Sequence, residues 1–125
     1  MLLQWLAVAL GGAFGASCRF GLALLFPAGA QRWPVATFIA NGLGSLLFGF
    51  LFFVIMARLG PESLWRSFLL VGLLGALTTF STFAFEAYTM LQNGELLLAV
   101  SYCVSSVVVA IMAVALGHYL AQFIF

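Results

Sequence analysis

The side chains able to do chemistry in this chain are few, and most of them are neutral. The run Gly72-Leu73-Leu74-Gly75-Ala76-Leu77-Thr78-Thr79-Phe80-Ser81-Thr82-Phe83 sets two glycines and four hydroxyls in an otherwise apolar stretch. Hydroxyls compete for main-chain groups and glycine weakens a helix, so the run predicts a local break. Broken backbone inside a bilayer is tolerated where it is buried in protein or lines a cavity, and its carbonyls can then coordinate a cation. Phe80 and Phe83 lie three apart and share a helical face. With 14 Phe in the chain, such a pair commonly serves packing. Phenyl edges are also electropositive, however, and paired rings can line the path of a small anion.

Thr37, Asn41 and Ser45 recur at four-residue spacing and form one polar stripe on an apolar helix. An Asn in hydrocarbon must bond something, either a neighbouring helix or a passing solute. Arg19 reads either as an interfacial arginine that snorkels or as a fixed positive charge at a vestibule. Glu86, one turn beyond Phe83, is the only acid embedded in an apolar run. In the last run, Tyr102 and Ser106 share a face, with Ser101 and Ser105 nearby. His118 has no second ligand at metal spacing and reads as interfacial, while Cys18 and Cys103 read as small apolar fillers. There is no Ser-His-Asp set, carboxylate pair or phosphate loop, so an enzyme is not expected.

The elements that must position these residues follow from composition. The chain has 125 residues, 66% hydrophobic, with 4 basic and 3 acidic side chains, a net charge of +1 and a mean hydropathy of +1.25. Soluble domains are about 25% charged, so 6% excludes one, and disorder fails for the same reason. Lysine is absent, and nothing suggests nucleic-acid binding. A membrane span takes about 20 apolar residues. Runs at 2–26, 35–57, 67–91 and 96–124 therefore predict four spanning helices in a single domain, 1–125. The connectors hold helix-ending residues: Pro27, Gly29, Gln31, Arg32, Trp33 and Pro34, then Arg58, Gly60, Pro61, Glu62 and Arg66, then Gln92, Asn93, Gly94 and Glu95. No Lys or Arg precedes the first run, which is expected to be a retained span. Its Gly11 and Gly15, with Gly12 and Ala16 one step on, make small-residue seams suited to a close contact, within the chain or between subunits. Arg58 and Arg66 fall on one side of the membrane, Arg32 and Arg19 toward the other. So weak a bias allows insertion in both directions.

The segment Gly75 to Phe83, G-A-L-T-T-F-S-T-F, resembles the T-T-F-S-T-F signature of the Fluc (CrcB) fluoride channels. Three further stretches match in order: G-G-A-F-G-A-S-C-R-F at Gly11 to Phe20, W-P-V-A-T-F-I-A-N at Trp33 to Asn41, and G-S-L-L-F-G at Gly44 to Gly49. The resemblance spans essentially the whole chain. It implies an all-α integral membrane fold of the inner (plasma) membrane, with four transmembrane helices per subunit and the third broken at mid-membrane. It further implies an antiparallel, dual-topology homodimer enclosing two fluoride pores and one structural sodium ion, and passive export of cytoplasmic fluoride.

Carried over by position, Phe80, Phe83, Asn41, Ser81, Thr82 and Ser106 would line or flank the fluoride path. Arg19 would stand at the vestibule, and the Gly75 and Thr78 carbonyls would meet sodium. Ala36 and Ala76 replace what is often glycine in the family, and Ala110 stands where a further serine can sit. The rivals are a proton-coupled multidrug-type exporter, which wants an acid embedded in a span, whereas the first span has none and Glu86 lies toward the end of the third, and a non-conducting assembly subunit, which leaves the interrupted run without a reason.

Overall fold

The computed structural model describes residues 1–29 and 32–125; Gln31, one of the connector residues, lies outside them. The apolar runs form α1 (Leu2–Leu25), α2 (Val35–Arg58), α3 (Arg66–Leu74, continued by the single turn Gly75–Leu77), α4 (Phe80–Gln92) and α5 (Leu96–Ile124). Arg66–Leu74 is wound as a π-helix, a form that hydropathy does not foretell and that recurs near functional sites. Taken together, α3 and α4 make one segment, and four segments are long and apolar enough to cross a membrane.

The connectors stop the helices by identifiable chemistry. At the end of α4, Gly94 takes a φ of 75°. Its N–H donates to the Leu91 carbonyl at 3.0 Å and that of Glu95 to the Met90 carbonyl at 2.9 Å. This double closure satisfies terminal carbonyls and needs a left-handed residue, hence glycine. Gly60, at φ 81°, ends the α2 side of the second connector in a related way, its N–H reaching the Ile55 carbonyl at 2.9 Å.

Packing divides the third segment between two partners. α1 lies along α3, whereas α4 lies against α5, which also packs along α2. One buried cluster joins Ile55 to Leu70, Leu74 and Leu77; the other joins Ala87 and Met90 to Ala99 and Tyr102. The first helical pair is held at backbone contact by glycine. A Cβ on Gly11 or Gly15 would run into the Phe68 or Leu73 carbonyl, and one on Gly72 would sit 2.7 Å from the Val8 carbonyl oxygen. The G-x-x-x-G seam of α1 therefore makes an internal contact. In the α2–α5 pair, Gly49 meets the Val114 carbonyl and Gly117 the Leu46 carbonyl. Without a hydrophobic drive between helices in lipid, such close approach is what dispersion and shape can supply. The outward faces are apolar and open, Leu97 and Phe123 among them, as a lipid-facing surface requires.

Adjacent glycines separate this packing role from composition. Gly11→Ala is expected to destabilise the protein by about 1–3 kcal/mol through overpacking. Gly12→Ala, which meets nothing within 4 Å, should be neutral or slightly stabilising. Thermal unfolding of the two purified variants checks this, and equal midpoints would refute the close-contact account.

Candidate functional site at the interrupted helix

Between Leu77 and Phe80 the backbone leaves the helix. Thr78 has ψ 152° and Thr79 has φ −148° and ψ 122°, both extended. In a continuous helix the Thr79 N–H would bond the Gly75 carbonyl and the Thr82 N–H the Thr78 carbonyl. Neither does so here. The Thr79 N–H donates to Asn41 Oδ1 at 2.8 Å, and Asn41 Nδ2 donates back to the Thr79 carbonyl at 3.0 Å. The Thr82 N–H donates to Thr79 Oγ1 at 3.3 Å, so Thr79 is the N-cap of α4, and its hydroxyl also donates to Thr82 Oγ1 at 3.0 Å. Thr78 returns its hydroxyl to the Leu74 carbonyl at 2.8 Å. On the other side, Arg19 Nε donates to the Ala76 carbonyl at 3.0 Å, a cation at the carbonyl end of a helix where the dipole favours it.

These bonds release the Gly75 and Thr78 carbonyls from their helical donors. The chemistry of that pair suits a hard cation held by oxygen. Among the described residues no group of three or more His, Cys, Asp or Glu side chains is placed to hold a metal ion. Gly44 of α2 makes room beneath, since a Cβ there would collide with Thr78 Cγ2.

Two cavities meet at Thr79, which lines both. The smaller, about 320 Å³, is a groove bounded by Asn41, Ser45, Thr78, Phe80, Phe83, Ser106 and Ala110. Phe80 and Phe83 stand with ring centroids 5.8 Å apart at 45°, and Phe83 lies 5.2 Å from the Tyr102 ring. Phe80 is 79% exposed in the single chain, so the groove is open along that ring. Ser106 Oγ is buried and has no hydrogen-bond partner among the described residues, a state costly enough to call for a reason. The larger cavity, about 770 Å³, is bordered by Arg19, Arg32, Ala36, Thr37, Thr82 and Glu86. Of the residues singled out by sequence, Asn41, Thr78, Phe80, Phe83 and Ser106 thus share the groove. Thr82 and Arg19 face the larger cavity, Ser81 is exposed on the first turn of α4, and Gly75 contributes main chain.

Some of the site was not apparent from residue type and spacing. Thr79 is the residue to which every long-range bond at the break runs, apart from that of Arg19; its spacing from Thr82, the signature of a hydroxyl N-cap, was the available signal. Glu86 also has partners: Thr37 Oγ1 donates to Oε1 and Tyr102 Oη to Oε2, each at 2.7 Å. Tyr102 is fully buried. Two members of the stripe on α2 therefore bond the third segment, Thr37 to Glu86 and Asn41 to Thr79, while Ser45 lines the groove between α2, the third segment and α5. His118 is an exposed residue edge-on to Phe53 at 5.2 Å, and Cys18 and Cys103 are both free thiols.

Comparison with known proteins fits this geometry to a family. The model of the CrcB-like proteins (Camphor Resistance, CrcB) matches residues 6–118. A protein of Saccharophagus degradans named fluoride-specific ion channel FluC is 41% identical over 121 residues, 97% of this chain and 91% of the relative. Proteins of the same name from Chloroflexus aurantiacus and Thermococcus kodakarensis are 46% and 38% identical, over 90% and 94% of this chain and equal shares of their own. With the family pattern running over nearly its whole length and relatives this similar end to end, the chain belongs to the CrcB-like family of membrane proteins.

Proposed function

We propose that this protein is a passive, fluoride-selective channel of the inner membrane, working as an antiparallel homodimer. The observation that carries the reading is the groove beside the break, which gathers hydrogen-bond donors and two phenyl rings with no ionised side chain among the described residues that line it. Fluoride is small and strongly hydrated, so a path must replace its water with donors while binding weakly enough to release it. The Ser106 hydroxyl has a proton with no acceptor among the described residues. Asn41 Nδ2 keeps a second N–H beyond the one given to Thr79. The positive ring edges of Phe80 and Phe83 complete a neutral lining, with Ser81 and Thr82 as flanking hydroxyls. Arg19, whose guanidinium holds Ala76 through Nε alone, supplies positive potential in the larger cavity and so raises local anion concentration.

The relatives' names support the substrate. An open groove with an exposed Phe80 supports completion by a second copy, and the balanced arginines support opposite insertion. Sodium, held by the Gly75 and Thr78 carbonyls of both subunits, would supply a fixed positive charge at the centre of the dimer. The exporter alternative is weaker, because both Glu86 oxygens already accept bonds from Thr37 and Tyr102. In the proposed role, fluoride that accumulates inside a cell leaves down its electrochemical gradient.

Purified protein in liposomes should release fluoride rapidly and chloride far more slowly; no fluoride flux, or equal chloride flux, would refute the channel. Phe80→Ile is expected to suppress fluoride flux with the dimer intact, and a wild-type rate would reduce Phe80 to a packing residue.

Ser106→Ala separates function from stability. An unpaired buried hydroxyl costs about 1–3 kcal/mol, so its removal should leave the unfolding temperature unchanged or raise it. Loss of a hydrogen bond to an anion, worth about 1.5–3 kcal/mol, should lower flux about tenfold or more. A variant that is less stable but conducts normally would mark Ser106 as structural.

A further inference from the structure

We infer that Asn41 is a positioning residue for the cation site, holding the Gly75 and Thr78 carbonyls out of the helical ladder as well as contributing to the groove. The inference uses the cation site of the proposed channel but does not depend on what the groove conducts. It rests on the bonding of one side chain. Both polar atoms of the Asn41 amide are committed to Thr79, Oδ1 to its N–H at 2.8 Å and Nδ2 to its carbonyl at 3.0 Å. Of all the N–H groups in the chain, that of Thr79 is the one an unbroken helix would give to the Gly75 carbonyl.

Away from water a main-chain N–H must have a partner. With the amide removed, the nearest acceptor in sequence for Thr79 is that same Gly75 carbonyl. Helix then propagates through Thr78 and Thr79, and the Thr82 N–H, whose present acceptor is the hydroxyl of Thr79, falls to the Thr78 carbonyl. Both candidate ligands are withdrawn by one repair. A second feature of α2 supports this placement. Gly44, one turn past Asn41, leaves the space that Thr78 Cγ2 occupies, so the same helix face both pins Thr79 and accommodates its extended neighbour.

Asn41 is accordingly coupled to cation affinity even when no fluoride is present, which a residue that only donates to a passing anion would not be. The test is thermal unfolding of the purified full-length protein in fluoride-free buffer, with sodium titrated in place of N-methylglucamine. Stabilisation by a ligand that binds only the native state grows with its concentration relative to its dissociation constant. Wild type should be stabilised by sodium. Asn41→Ala should need about tenfold or more sodium for the same stabilisation, the scale of losing two neutral hydrogen bonds. Asn41→Ser, too short to hold both Thr79 groups, should shift the same way and serves if the alanine variant does not fold. Phe80→Ile should lose flux yet titrate sodium as wild type does. If the two Asn41 variants respond to sodium like wild type while fluoride flux is lost, Asn41 acts on the anion alone and the inference is overturned, with the channel reading intact. A wild-type protein indifferent to sodium overturns the cation site and this role together. A wild type that titrates sodium normally but passes no fluoride sinks the channel reading, and the Asn41 variants still decide the inference.

Discussion

The structure turns on one constraint: two residues, Thr78 and Thr79, have left the helix in the middle of a segment apolar enough to cross a membrane, where hydrocarbon offers main-chain groups no partner. Each unsatisfied amide in such a medium costs several kcal/mol. The break persists because nearby side chains replace what the helix would have provided. Asn41 takes both polar groups of Thr79, Thr79 Oγ1 takes the Thr82 N–H, and Arg19 takes the Ala76 carbonyl. No water is needed in this exchange, and what it leaves over is acceptor capacity on Gly75 and Thr78. A set of substitutions that satisfied every group would simply be another helix. This one is deliberately incomplete on the carbonyl side.

Those side chains can act only if α1 and α2 lie close to the break. Glycine supplies that closeness. Gly11, Gly15 and Gly72 bring α1 onto α3 at backbone distance, which delivers Arg19 to Ala76. Gly44 lets α2 approach Thr78, and Asn41, one turn earlier, then reaches Thr79. Each of these contacts is main chain against main chain or against a branched side chain, so there is little slack to lose. Placing α3 in one buried cluster and α4 in another fits the same design, since a third segment packed uniformly along one partner would gain by being straight.

The spans and the break were readable from the chain because each is a local property. In a bilayer hydropathy has few competitors, and the run from Gly72 to Phe83 contradicts helix by propensity within a dozen residues. What was not readable depends on partners far away in sequence. Gly11 and Gly15 announced a close contact but not that α3 would be its other half. The polar stripe of Thr37 and Asn41 announced hydrogen bonds but not whether their targets were Glu86 and Thr79 or a solute. Tyr102 bonds Glu86 from the following helix, and nothing in its own neighbourhood records this. The π-winding of Arg66–Leu74 has no signature in composition, because it shifts hydrogen-bond register without changing which residues are apolar. The resemblance at Thr78 to Phe83 pointed to residues. It did not say which bonds hold them.

Seven ionisable acids and bases apart from histidine, tyrosine and cysteine, four basic and three acidic, first exclude a soluble fold. Their placement says more. Arg32 is paired with Glu95 at 3.1 Å on the outside, Glu86 is engaged by two hydroxyls, and Arg19 is tied to a carbonyl at the edge of the larger cavity. Among the described residues that line the groove there is none of them. A guanidinium inside it would bind a small anion in a low dielectric far more tightly than water does, and an ion held that strongly does not move on. Under the proposed function, a groove of hydroxyl, amide and phenyl edge offers many weak, directional interactions in place of one strong one. Positive charge is then kept at a distance, in Arg19 and in whatever cation the Gly75 and Thr78 carbonyls retain. Selectivity and release thus make opposite demands on charge, and separating the donors from the charges reconciles them within a chain of 125 residues.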